Sequence, residues 1–158
     1  MDRLALVATA LLSVVLAGCG GSAPPPATPA AVAPQEAISR IGDVTIRASV
    51  LPTATLAAEV ASQYGITRDD RTVMLLVGVR QGPEAQEAAL PAQISATATN
   101  LSGQRHDIDM RELRSGDLLD YVGTVETAMP DTLRFDLTIV REGGATSTMQ
   151  FSREFYPR

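Results

Sequence analysis

The stretch LRFDLTI, residues Leu133 to Ile139, decides the fold. Leu133, Phe135, Leu137 and Ile139 alternate with Arg134, Asp136 and Thr138. Successive side chains of a strand point to opposite faces, so this alternation puts four apolar groups on one face and three polar groups on the other. A sheet with one apolar face must bury it against a second layer. The stretch therefore predicts a half-buried strand in a layered β structure.

The surrounding sequence repeats the pattern. Glu142-Gly143-Gly144 is a hairpin signal, and Met149, Phe151 and Phe155 mark a last strand after it. Upstream, Val44, Ile46, Ala48 and Val50 alternate with Thr45, Arg47 and Ser49. Thr72 to Arg80 (TVMLLVGVR) is almost continuously apolar, as suits a central strand. Gln93 to Thr99 carries Ile94, Ala96 and Ala98 on one side, and Asn100 to Gly103 is a turn. Gln104 to Met110 returns with His106, Ile108 and Met110 on one face. Ser115-Gly116-Asp117 turns again, and Leu118 to Val125 is a further strand. Seven strands joined mostly by short turns predict an all-β, two-sheet antiparallel sandwich.

One segment reads as helix. Leu56, Val60 and Tyr64 recur at helical spacing, Thr53 or Thr55 offers an N-cap hydroxyl, and Gly65 stands where a left-handed C′ residue belongs. Gln81 to Ala89 reads as a polar loop between strands.

The N-terminal part is of another kind. Leu4 to Ala17 is a 14-residue apolar run broken only by Thr9 and Ser13. A membrane-spanning helix needs roughly 20 such residues, so the run has the length of a signal-peptide core. Leu16-Ala17-Gly18-Cys19 resembles the lipobox of bacterial lipoproteins, and Cys19 is the only cysteine. That resemblance implies removal of residues 1–18 and a lipid on Cys19. A multiply acylated cysteine gives stable membrane attachment, each buried methylene contributing about 0.8 kcal/mol. Gly20 follows where an Asp tends to retain lipoproteins at the inner membrane, so the resemblance points to the outer membrane, facing the periplasm. Residues 19–37 are Pro/Ala/Gly-rich with no apolar period, which reads as an unfolded tether. At about 3.1 Å per residue it reaches roughly 50 Å. Residues 38–158 remain for one folded domain.

Several stretches of that domain are familiar together: Tyr64 to Arg68, Ser95 to Gln104, Arg111 to Asp117, Thr132 to Phe135, and Phe151 with Phe155-Tyr156. They resemble the bacterial family known as domain of unknown function 4426. The resemblance implies an exported, immunoglobulin-like β-sandwich, in agreement with the strand count, and transfers no activity or catalytic residue.

The chain restricts its own chemistry. It has no lysine, which excludes lysine nucleophiles and Schiff bases, and its net charge of −5 argues against a nucleic-acid partner. His106 is the only histidine, and Asp107 beside it points to the opposite strand face. A triad needs a nucleophile and an orienting acid around the base, so no catalytic residue is assigned and the chain is not expected to be an enzyme. Zinc lacks a second His or a free Cys. Asp69-Asp70 and the acids Asp107 to Asp120 are too dispersed for a calcium loop or a glycosidase pair. No cofactor or metal site is assigned.

Two functions remain. The first is a lipid-anchored, non-enzymatic interaction or assembly module, meeting the membrane through Cys19 and an envelope protein partner through loops or a strand edge. Its candidate surface is Tyr64, Ile66 and Arg68 on one turn and Asn100 and Leu101 on another. The second is a carrier of a small ligand or of copper, with His106 and Met110 as soft donors on one strand face.

Overall fold

In a computed structural model, residues 36–157 are described. The signal segment, Cys19 and the tether up to residue 35 lie outside the described residues.

The described part is mostly strand: β1 (Glu36–Ile41), β2 (Val44–Pro52), β3 (Thr72–Gln81), β4 (Ala88–Ala89), β5 (Ala92–Thr99), β6 (Arg105–Ile108), β7 (Arg111–Ser115), β8 (Leu118–Glu126), β9 (Asp131–Arg141) and β10 (Thr146–Phe155). A 3-10 turn (Thr53–Thr55), the helix α1 (Ala58–Gln63) and a second 3-10 turn (Glu84–Gln86) complete it. The first sheet runs β1-β2-β3-β8-β7, with the short β4 also on β3. The second runs β10-β9-β5-β6, and every pairing is antiparallel. The two-sheet sandwich expected from alternation is present.

The core lies between the sheets. Leu133, Phe135, Leu137 and Ile139 of β9 face Ile46 and Ala48 of β2 and Val73, Leu75, Val77 and Val79 of β3 across it. The ring of Phe135 stacks on Phe151 of β10 at 5.2 Å between centroids. The continuous apolar run of β3 has a separate cause for each face. Its odd residues fill the inter-sheet core, while Met74 and Leu76 lie on the outer face under Leu56, Val60, Ala61, Tyr64 and Ile66 of the helical segment.

Three strands escaped the sequence reading. Glu36 and Ala37, given to the tether by composition, begin β1, an edge strand whose EAISRI pattern is too mixed to show a period. Ala88–Ala89 form β4 inside the expected polar loop. The charged RELRS segment is β7, an edge strand with only Leu113 half-buried. The expected return strand to Met110 ends at Ile108, because the chain there leaves the second sheet for the first.

The helix is shorter than the expected Leu56 to Tyr64, and no threonine caps it. Thr53 Oγ1 instead accepts from the Asp69 N–H at 2.9 Å and donates to the Asp69 carbonyl at 3.0 Å, closing the long loop. Thr55 Oγ1 donates to the Pro52 carbonyl. The C-terminal end follows the sequence. Gly65 has φ +60°, its N–H reaches the Ser62 carbonyl, and the Ile66 N–H reaches the Ala61 carbonyl at 2.8 Å. These are the two bonds of a Schellman stop, and Ile66 packs back on Ala61's cluster.

The crossing from sheet to sheet depends on Gly123 of β8. A Cβ there would lie 2.5 Å from Ile108 Cγ2 and 2.8 Å from both the Asp109 carbonyl oxygen and Met110 Sδ. The missing side chain is the space through which residues 108–110 pass.

Candidate functional site

A cleft of about 600 Å³ opens on the outer face of the first sheet. Ligand clefts commonly measure about 300–1,000 Å³. Its floor is the upper end of β8 and β3, with Val122, Thr124, Glu126 and Thr72. The loop that follows α1 forms one wall and the Asp109–Arg111 crossing forms the other. A second cleft of about 240 Å³ holds Asn100, Gln104 and His106, and Arg71 and Glu126 line both. The two clefts thus meet along a wall at one end of the sandwich.

The five surface residues proposed from sequence distribute around this end. Ile66 lines the larger cleft, and Tyr64 is half-buried against the outer-face cluster, its carbonyl accepting from Arg111. Arg68 reaches back to donate to the Ala54 carbonyl at 3.0 Å, so it braces its own loop. Asn100 lines the smaller cleft, but its amide closes its turn: Oδ1 accepts from the Gln104 N–H at 2.9 Å and Nδ2 donates to Gln104 Oε1 at 2.8 Å. Leu101, next to it, is 79% exposed.

None of Arg71, Asp109, Arg111 and Glu126 is assigned to a site by the sequence, where Asp109 reads as one of several dispersed acids. Only the crossing at Asp109 and the pairing of Thr72 with Glu126 bring them to one cleft. Asp69 contributes local order, its carboxylate accepting from the Arg71 N–H at 2.7 Å. The side chains of Arg71, Asp109 and Glu126 have no hydrogen-bonding or ion-pair partner among the described residues.

His106 and Met110 do not line a common cavity. His106 is exposed in the smaller cleft, whereas Met110 Sδ is directed at Gly123 at the margin of the core. Among the described residues no three His, Cys, Asp or Glu side chains converge on a point that would hold a metal ion.

Elsewhere on the first sheet's outer face, Arg47 forks onto Glu87 with bonds of 2.7 and 3.0 Å. The Arg47 hydrogen bond holds the Glu87 carboxyl below the usual carboxylate range and raises the guanidinium in return. On the second sheet, Asp136 is also lowered, first by the amide of Gln150 and then by Arg134. Both pairings bridge or brace strands, and neither opens onto the cleft.

A family model described as a domain of unknown function, DUF4426, matches residues 38–158. The chain belongs to the DUF4426 family. A solved DUF4426 family protein from Pseudomonas aeruginosa PAO1 is 20% identical, with a TM-score of 0.67 over 78% of this chain and 96% of that one. FetP of uropathogenic Escherichia coli strain F11, produced in the periplasm, is 10% identical with a TM-score of 0.55, covering 80% and 97%. A copper-bound FetP variant superposes equally, covering 79% and 92%. At these identities the likeness is one of fold. No curated protein matches the sequence.

Proposed function

We propose that this DUF4426 protein is a non-enzymatic interaction module of the bacterial envelope, held by a lipid on Cys19 at the outer membrane and engaging a periplasmic protein partner. The observation that carries the reading is the paired cleft at one end of the sandwich. It gathers exposed, unpartnered charges of both signs, the exposed Leu101 stands on the turn beside it, and among the described residues His106 has no hydrogen-bonded hydroxyl to activate. Surfaces of this kind recognise a partner; acyl or phosphoryl transfer needs an activated nucleophile or a dedicated charge clamp. The tether suits a domain that must reach a neighbour. In-cell cross-linking followed by pull-down tests the reading. One reproducible envelope partner, lost on Leu101→Ala with unchanged stability, is the expected result. Cys19→Ser is expected to abolish labelling by a clickable fatty acid and to release the domain from the membrane.

The fold likeness to copper-bound FetP favours a second reading, a periplasmic copper carrier using His106. A copper ion that co-purifies and is lost on His106→Ala, with no partner in the cross-linking, would replace the first reading by this one.

A further inference from the structure

The strongest unexplained feature is a gap in the first sheet. β7 pairs with β8 from Arg111↔Val122 to Ser115↔Leu118 and no further. β8 continues to Glu126 against β3 on its other side. Along an antiparallel pair, alternate residues direct their N–H and C=O groups to the same neighbour. The Thr127 N–H donates to the Arg71 carbonyl at 2.8 Å in the same register, so positions 123, 125 and 127 bond toward β3. The main-chain groups of Thr124 and Glu126 therefore point the opposite way. Among the described residues they have no partner. Both residues are exposed and both line the 600 Å³ cleft. The open edge lies where β7 would run had the chain not crossed to the other sheet at Asp109.

We propose that this edge binds an extended segment of a partner protein, added antiparallel to β8 in line with β7, with a basic residue opposite Glu126. Strand addition to an open edge uses main-chain hydrogen bonds for affinity and side-chain neighbours for specificity. Thr124 and Glu126 together offer two donors and two acceptors. A residue opposite Glu126 stands as its cross-strand neighbour, where an opposite charge is favoured and a like charge opposed. The cleft sets the carboxylates of Asp69, Asp109 and Glu126 against the guanidinium groups of Arg71 and Arg111, and Arg111 is already taken by the Tyr64 carbonyl, so Lys or Arg fits that position. The residue two further along faces Thr124, where a β-branched side chain packs. The overall charge of −5 favours a basic partner in the same sense. The chain's own tether is a poor occupant, because Pro24, Pro25, Pro26, Pro29 and Pro34 lack the N–H that a ladder needs. This site deepens the interaction-module reading and rests on it.

The test uses the purified full chain in detergent and a synthetic peptide, acetyl-TVKVTV-amide. Amide chemical shifts are expected to move first at Thr124 and Glu126. The same peptide N-methylated at alternate positions is expected to lose binding, and the version with Glu in place of Lys to bind several-fold more weakly. Thr124→Pro removes a donor that the β3 ladder does not use, and is expected to abolish binding. Glu126→Arg, an exposed charge reversal, is expected to invert the preference toward the Glu peptide, and it keeps the test open if the proline variant misfolds. Equal binding of the N-methylated peptide, or no shift at either residue, overturns the proposal. So does edge protection in the free chain that is lost on deleting residues 20–35, or that grows with protein concentration, since the occupant is then the tether or a second copy. A reproducible cross-linked partner that survives Thr124→Pro overturns this site and leaves the module standing. Peptide binding with no partner in cells counts against the module instead.

Discussion

Gly123→Ala tests the crossing on which both the fold and the cleft depend. The added Cβ would meet Ile108 Cγ2 at 2.5 Å, about 1 Å inside an ordinary carbon–carbon contact. A rotamer change at Ile108 or Met110 relieves part of the overlap. The Asp109 carbonyl oxygen at 2.8 Å is backbone and moves only if the crossing moves. Overpacking a well-packed site costs about 1–3 kcal/mol, and the backbone clash places this one at the upper end. Replacing a strand glycine by alanine returns about 0.5–1 kcal/mol of backbone entropy. The net expectation is about 2 kcal/mol of destabilisation, which for a domain of this size lowers Tm by roughly 8 °C. Thermal and urea unfolding followed by circular dichroism measure it. In an Ile108→Ala background the nearest clashing atom is gone, so the cost of Gly123→Ala is expected to shrink by a kcal/mol or so, a coupling that a double-mutant cycle reads directly. A Gly123→Ala protein as stable as the parent, or more so, would refute the packed crossing.

Three further outcomes follow from the core and the charged pairs. Phe135→Ala removes a fully buried ring stacked on Phe151 and is expected to cost about 3–5 kcal/mol in urea unfolding. Glu87 and Asp136 are both lowered in the folded state, so each stabilises the fold above its unfolded pKa, near 4, and that contribution is lost as pH falls through the lowered folded value. The urea midpoint is expected to drop below about pH 4.5, with Glu87→Gln and Asp136→Asn each flattening the drop. Asn100→Ala opens the 100–104 turn by removing both side-chain bonds to Gln104 and is expected to cost about 1 kcal/mol. Faster amide exchange at Gln104 checks it.

The sequence by itself determined the strand character of β2, β3, β5, β8, β9 and β10, since a side-chain period of two survives in the letters whatever the strand pairs with. It also determined where α1 stops, because Gly65 alone meets the left-handed backbone of that turn without strain. Local hydroxyls were less legible. Thr53 reads as a helix cap, yet its hydroxyl is taken by Asp69, sixteen residues on, by a loop closure no local pattern encodes. The edge strands β1 and β7 were hidden for the same reason that they are edges: pairing on one side only, they need no clean apolar face. The site was hidden more completely. Arg71, Asp109, Arg111 and Glu126 look like scattered surface charges until the chain crosses at Asp109, over Gly123, and the register of β3 with β8 brings them together. The unpaired edge at Thr124 and Glu126 is a property of where two strands stop relative to each other. Such a property depends on long-range pairing, which only the tertiary structure decides, because no single strand carries its neighbour's register.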